Sequence, residues 1–229
     1  MKKITIAIDG FSSTGKSTLA KQLAQKLGYV FVDTGAMYRA ITLFAMQNGF
    51  IDIDNFDKIS LIQELPKIKL HFVFNEQLGF AEMFLNNNNV ELEIRKIEVS
   101  GFVSQVAAVS EVRAKLVEQQ QEMGQSKGIV MDGRDIGTVV FPDADLKIFM
   151  TASPEVRAKR RFDELLAKGE NVSFEQVHEN VTNRDFLDST RKDSPLFKAN
   201  DAIEIDNSDI SRDEQFQIVL DLAVELIND

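Results

Sequence analysis

The sequence predicts an α/β protein: a mostly parallel sheet covered by helices on both faces. Three observations carry this. Short strand-like runs alternate with longer stretches of helical periodicity along the chain. The 229 residues, 44% of them hydrophobic, suffice for one large domain with a sizeable core. The first strand-like run stops at Gly10-Phe11-Ser12-Ser13-Thr14-Gly15-Lys16-Ser17, the Gly-x-x-x-x-Gly-Lys-Ser spacing of a phosphate-binding loop. Such a loop needs a strand before it and a helix behind it.

The elements follow in order. Lys2–Ile8 reads as a buried strand, and Leu19, Leu23, Ala24 and Leu27 fall at helical spacing over Lys16–Leu27. A second strand over Tyr29–Val32 leads to a helix over Gly35–Asn48. The rhythm then breaks: in Lys67–Val99, Ile68, Leu70, Phe72 and Phe74 alternate with Lys69, His71 and Val73, and a second run covers Ala81–Leu85. Asn86-Asn87-Asn88-Asn89 follows and predicts a hairpin turn, because Asn tolerates left-handed backbone. This reads as a small antiparallel insert. Beyond it come a helix over Ser104–Met123 and strands at Gly128–Met131 and Leu146–Met150. Helices over Pro154–Lys168 and Ser173–Leu187, a strand at Ala202–Ile205 and a helix over Ser211–Ile227 complete the chain. Alternating elements imply parallel strands, and such sheets bind ligands at the strands' carboxyl ends. Asp9, Gly10, Asp33 and Asp132 sit at such ends.

Composition excludes several functions. Without cysteine there is no disulfide, thiolate metal site or cysteine nucleophile, which suits a reducing compartment. Lys2 and Lys3 precede only a short apolar run, so no signal peptide is expected. No apolar run approaches the length of a membrane span, so no membrane partner is expected either. A net charge of −10 argues against a nucleic-acid-binding surface. His71 and His178 have no second histidine or cysteine nearby to share a metal.

The loop carries the first chemistry. Backbone N–H groups from Gly10 through Thr18 would cradle phosphate, helped by the positive end of the following helix. Lys16 would reach the β- and γ-phosphates of a nucleotide, and the Ser17 hydroxyl would ligate Mg²⁺. Asp132 and Asp33 compete as the carboxylate that organises the metal. Of ten arginines, eight lie in five polar segments: Arg39, Arg113, Arg134, Arg157, Arg160, Arg161, Arg184 and Arg191. An acidic chain that gathers arginines beside strand ends handles anions, since the guanidinium fork bonds two phosphate oxygens at once. A guanine-reading Asn-Lys-x-Asp segment, which a GTPase-like switch would need, is absent from the sequence.

These segments resemble the bacterial cytidylate kinase family of P-loop nucleoside monophosphate kinases. The resemblance runs through GFSSTGKST, DTGAMYR, SQVAAVSEVR, MDGRDIGTVVFPDADLKIFMTAS, RAKRR and NRDFLDSTRKDSPL. DGRDIGTVVFPDA is far more specific than the loop alone, and with SQVAA it argues against AMP or shikimate as acceptor. The resemblance implies a P-loop kinase fold with a five-stranded parallel core flanked by helices. It also implies a single domain over 1–229, with an acceptor-binding insert at about 62–100 and a short lid at about 155–170. The implied activity is transfer of the γ-phosphoryl of ATP, with Mg²⁺, to CMP or dCMP, by a cytoplasmic monomer. Gly10, Phe11, Ser12, Ser13, Thr14, Gly15, Lys16, Ser17 and Thr18 would hold ATP. Thr34, Arg39 and Arg134 would meet the acceptor phosphate, and Ser104, Arg113 and Asp135 the cytosine edge. Arg184 and Asp188 would hold the sugar and Arg191 a phosphate. Arg157, Arg160 and Arg161 look like lid arginines and, with Lys16 and Arg134, make up the catalytic set. The loop departs from the family's common Gly-Pro-Ser-Gly-Ala at Phe11, Ser13 and Thr14, and Thr34 replaces a common serine.

Overall fold

A computed structural model of the chain describes residues 2–77 and 79–228. In order, the elements begin with β1 (Thr5–Gly10), α1 (Lys16–Leu27), β2 (Val30–Asp33), α2 (Thr34–Gln47) and α3 (Lys58–Glu64). Then come β3 (Leu70–Asn75), β4 (Phe80–Leu85), β5 (Asn88–Asn89), α4 (Ile97–Ala107) and α5 (Ser110–Gly124). The chain closes with β6 (Ile129–Asp132), β7 (Leu146–Thr151), α6 (Pro154–Ala167), α7 (Phe174–Thr190), β8 (Ile203–Asp206) and α8 (Arg212–Asn228). Two compact units result, one from the chain up to Phe31 and from Gly124 onward, the other from Val32–Met123. No helix of the described residues is long and apolar enough to cross a membrane.

The first unit is built on a five-stranded parallel sheet in the order β2-β6-β1-β7-β8. All six residues of β1 are buried, as a central strand covered on both faces requires. In register, Ile6 lies between Val130 and Leu146, and Ile8 between Asp132 and Ile148. Ile4, Ile6 and Ile8 pack with Leu19 and Leu23 of α1 and with Val219 and Ala223 of α8. Each fully buried Ile or Leu contributes roughly 1.5–3 kcal/mol, so this layer holds β1 rigidly. The Gly133 N–H continues the ladder to the Ile8 carbonyl at 3.0 Å. That bond levels the ends of β1 and β6 and brings Asp9 and Asp132 to one sheet edge.

The second unit has its own core, including Met37, Ile41, Leu61, Ile68, Met83, Ile94 and Leu116. β3, β4 and β5 form the expected antiparallel insert, with Leu70 opposite Leu85. Its second turn is the two-residue Asn86-Asn87, both at positive φ (48° and 69°), the backbone that favours Asn in tight hairpins. The apolar alternation outruns the core: Leu70 is buried, while Phe74 near the hairpin tip is 65% exposed.

One expected helix is two. The stretch predicted as Ser104–Met123 belongs to α4, which ends at Ala107, and α5, which starts at Ser110. No glycine or proline marks the break. It is stabilised by Arg113, whose guanidinium donates to the Ala107 carbonyl at 3.2 Å and so caps the end of α4. The first strand also lies further toward the loop than its apolar pattern suggested, ending at Gly10 rather than Ile8.

Candidate active site

Between β1 and α1 the chain forms a loop in which side chains take the carbonyls of Phe11, Ser12 and Thr14. The Phe11 carbonyl accepts from Lys16 Nζ and Thr14 Oγ1, each at 3.0 Å. The Ser12 carbonyl accepts from Arg157 at 3.3 Å, and the Thr14 carbonyl from Asn207 Nδ2 at 2.6 Å. Gly10 is required here: it has φ 145°, and a Cβ would come within 2.1 Å of the Met150 carbonyl oxygen on β7. Gly15 precedes α1 in left-handed backbone, with no side-chain cap and no acid in the first turn. The positive end of α1 is therefore not neutralised by its own sequence. Ser13 has φ 60°, in the left-handed region.

The Ser17 hydroxyl donates to Asp132 Oδ2 at 2.6 Å. A hydroxyl and a carboxylate side by side are hard oxygen donors of the kind Mg²⁺ takes. The described residues contain no cluster of three acids or histidines that could hold a metal alone. A cation here would share its shell with a nucleotide's phosphates and water. Asp33 is differently engaged. It caps α2 through the Ala36 N–H at 3.0 Å and pairs with Arg95 at 2.7 Å. Burial pushes its carboxyl up, but Arg95 and Arg39 outweigh burial and hold it below the ordinary value.

A second constellation lies in the same unit. Arg134 Nε donates to Asp188 Oδ2 at 2.9 Å. Arg191 lies 3.8 Å from both Asp135 and Asp188, and its Nε and Nη2 donate to the Ser194 carbonyl. Burial raises Asp188, yet Arg134, Arg184 and Arg191 together hold its carboxyl below the ordinary range. Arg134 is raised in turn, because Asp188 outweighs its burial. The structure thus gathers Arg134, Asp135, Arg184, Asp188 and Arg191, drawn from the loop after β6 and from α7 and its C-terminal end.

The second unit carries Thr34 and Arg39 on α2, Ser104 on α4 and Arg113 on α5. Thr34, Ser104 and Arg113 are buried. The Arg113 guanidinium lies over the Tyr38 ring, 5.5 Å from its centroid. Gly35 leaves room for Arg39: a Cβ there would sit 2.9 Å from its Nη1 and 3.1 Å from Asp33 Oδ1.

The three arginines of α6 differ. Arg157 is 3% exposed, donates to the Ala152 and Ser12 carbonyls, pairs with Asp185 at 2.5 Å and lies over the Phe11 ring. Arg160 donates to the Asn207 side chain at 2.9 Å and to its carbonyl at 2.7 Å. Arg161 pairs with Glu164 along the helix.

Several residues of these networks were given no role by the sequence reading. Asn207 follows the last strand and touches both the loop and Arg160. Its signal was its place at a strand's carboxyl end, but β8 is short and weakly apolar. Arg95, one of the two arginines outside the polar segments, binds Asp33 and Glu91. Asp9, a lone acid closing an apolar strand, accepts two backbone N–H groups of the loop after β6.

The cytidylate kinase family profile matches residues 6–226. A cytidylate kinase of Flavobacterium psychrophilum is 72% identical over 223 residues, covering 97% of this chain and 99% of the relative. One from Flavobacterium johnsoniae is 70% identical over 99% of each chain, and one from Parabacteroides distasonis 57% identical over 94% of each. With a profile spanning nearly its whole length and relatives this similar, the chain belongs to the cytidylate kinase family.

Proposed function

We propose that this chain transfers the γ-phosphoryl group of ATP to CMP or dCMP, giving ADP and CDP or dCDP. The observation that carries the reading is a phosphate loop with Lys16 and Ser17–Asp132 in one unit with the Arg134–Asp188–Arg191 cluster. The first suits a donor's phosphates and the second an anionic acceptor.

Gly10–Thr18 hold ATP. Their carbonyls are engaged by Lys16, Thr14, Arg157 and Asn207, which supports inward-facing amides as the phosphate ligands. Thr34, Arg39 and Arg134 meet the acceptor phosphate. Arg184 and Asp188 hold the sugar, and Arg191 binds phosphate. A phosphate oxygen of CMP attacks the γ-phosphorus in line, and the bond to the β-phosphate oxygen breaks to release ADP. The acceptor is already an anion, so the step needs no general base. Lys16, Arg160 and Arg161 stabilise charge on the transferring group. Arg157 belongs with them, and its bond to Ser12 supports a contribution made by holding the donor loop. Ser17 and Asp132 would hold Mg²⁺, which would supply positive charge against the nucleotide phosphates. The pairing of Asp33 with Arg95 favours Asp132 for that task.

Residues 155–170 or thereabouts act as a lid, and the insert around β3–β5 as the acceptor-binding element. A lid that closes only over both substrates keeps water from taking the phosphoryl group. Asp135 accepts from the cytosine amino group, while Arg113 and Ser104 donate to O2 and N3. Uracil presents O4 instead and leaves Asp135 facing an acceptor, which costs roughly 1–3 kcal/mol, about 5- to 150-fold. We place the enzyme in pyrimidine nucleotide metabolism in the cytoplasm, as a monomer acting on small molecules. The net charge of −10 supports an activity without nucleic acid.

A coupled ADP-release assay with a panel of monophosphates tests the proposal. Turnover is expected with CMP and dCMP, and much less with UMP or AMP. UMP turned over as efficiently as CMP would overturn the base assignment, and ATP consumption unaffected by any monophosphate would overturn the kinase reading.

A further inference from the structure

Asp9 is a buried acid with both oxygens committed to one distant loop. It stands immediately before Gly10 and is 5% exposed. Its Oδ1 accepts the Ile136 N–H at 2.8 Å, and its Oδ2 the Gly137 N–H at 2.7 Å. Those two residues directly follow Asp135. They open a wide turn in which the Val140 N–H returns to the Asp135 carbonyl at 3.2 Å and the Phe141 N–H to the Ile136 carbonyl at 2.6 Å. Turns of this π-helical kind are rare and cluster at functional sites.

A carboxylate that takes two consecutive N–H groups, one on each oxygen, fixes the orientation of the peptide between them. The contact is close on its far side too. A Cβ on Gly137 would lie 3.4 Å from Asp9 Oδ2 and 3.2 Å from Lys147 Cδ. Lys147 sends its ammonium elsewhere, to Asp201 at 2.7 Å. A buried carboxylate is costly to keep, and ending a strand does not need one. What it does provide is a tie between the rigid central strand, which also starts the donor loop, and the loop that presents Asp135. Groups held within a few tenths of an ångström need such a supporting layer.

We propose that Asp9 is a positioning residue for base recognition: by gripping Ile136 and Gly137 it holds Asp135 in the orientation that accepts from the cytosine amino group. This rests on Asp135 being that reader. Weakening the grip then loosens recognition of the base while leaving the donor side in place.

The test is steady-state kinetics of Asp9→Asn with ATP, CMP and UMP. The substitution preserves shape but turns one acceptor oxygen into an NH₂ facing an N–H. The KM for CMP should rise about 10-fold or more, and the CMP-over-UMP preference in kcat/KM should fall to match. The KM for ATP should stay within about 2-fold, a split that general destabilisation does not produce. Asp135→Asn separates the two ideas. If it leaves the CMP preference intact, the base reading itself fails. If it abolishes the preference while Asp9→Asn leaves it intact, only the positioning role is overturned. Should Asp9→Asn not fold, Gly137→Ala keeps the carboxylate and presses a Cβ against Lys147 Cδ, at 3.2 Å, beside the same contact. It should raise the KM for CMP several-fold with the KM for ATP steady, and an unchanged CMP preference overturns the proposal.

Discussion

The donor loop and the arginine–aspartate cluster lie in the same unit and are held together by different physics. In the loop, side chains donate to backbone carbonyls: Lys16 and Thr14 to Phe11, Arg157 to Ser12, Asn207 to Thr14. In the cluster, charged side chains are one another's counter-ions: Arg134 with Asp188, and Arg191 beside Asp188 and Asp135. A loop whose working groups are backbone amides accepts changes of side chain, provided the path of the chain survives. A cluster of buried charges does not, because removing one member leaves another uncompensated. On this contrast, substitutions at Phe11 or Ser13 should be tolerated better than substitutions among the arginines and aspartates of the cluster.

The most direct way to break this contrast is Asp188→Ala. It takes the carboxylate from the half-buried Arg134 and from beside the buried Arg184 and Arg191, and loss of one partner of a buried pair costs roughly 3–5 kcal/mol. For a chain of this size the melting temperature should fall by about 10 °C. A variant that melts within 2 °C of the parent would show that the cluster is not held by charge compensation. On the loop side, Lys16→Ala removes the ammonium proposed to stabilise the transferring group. It should lower kcat with every acceptor by about 10²–10³-fold, roughly 3–4 kcal/mol, with a small change in melting temperature.

Acidity sharpens the comparison, because the two regions carry buried aspartates with opposite shifts. Burial raises Asp188, its three arginines outweigh burial, and its carboxyl ends below the ordinary value. The stability it contributes is present above the unfolded value and lost as pH falls through the lower folded one. Asp9 is raised from 3.8 to about 6 by burial, with its two backbone bonds opposing and Asp135 adding to the rise. The folded chain therefore holds that proton more tightly than the unfolded chain does. Its contribution is complete below pH 3.8 or so and is lost as pH rises through about 6. That difference corresponds to roughly 3 kcal/mol. Urea unfolding of the parent and Asp9→Asn between pH 4 and 7 reads it. The parent should lose stability relative to the variant as pH rises, and parallel curves would contradict the assignment.

A smaller effect separates the two candidate metal carboxylates. Asp132→Asn should raise the Mg²⁺ concentration that gives half-maximal rate by about 10-fold, near 1.4 kcal/mol. Asp33→Asn should leave it unchanged, since Asp33 serves Arg95 and the start of α2. The opposite ranking would move the metal to Asp33.

The contrast also explains what could be read from the sequence. The loop is contiguous, so its spacing alone marked it as a phosphate-loop candidate, down to Lys16 and Ser17. The hairpin was legible for a similar reason: Asn86 and Asn87 supply the positive φ that the turn demands. The cluster comes from segments some fifty residues apart, as Arg134 and Asp188 are. Only its composition, arginines gathered beside strand ends, was visible. Residues that act through others carried no signature beyond a place at a strand's carboxyl end. Asn207 reaches Thr14 across 193 residues and Asp9 reaches Ile136 across 127. The break between α4 and α5 was hidden because a guanidinium, not a glycine, closes it.

The smallest effect lies in the loop, at Ser13. Its φ of 60° is left-handed, which costs an L-residue about 1–2 kcal/mol. Glycine removes that strain but loses about 0.5–1 kcal/mol through the greater freedom of the unfolded chain. Ser13→Gly should therefore be neutral or stabilising by up to about 1 kcal/mol, a rise of no more than a few degrees in melting temperature. Because the loop works through its amides, the KM for ATP should also stay within 2-fold. A loss of stability, or a several-fold rise in the KM for ATP, would mean that the Ser13 side chain works in the loop. The donor site would then resemble the cluster in depending on side chains, and its tolerance of substitution would need another cause.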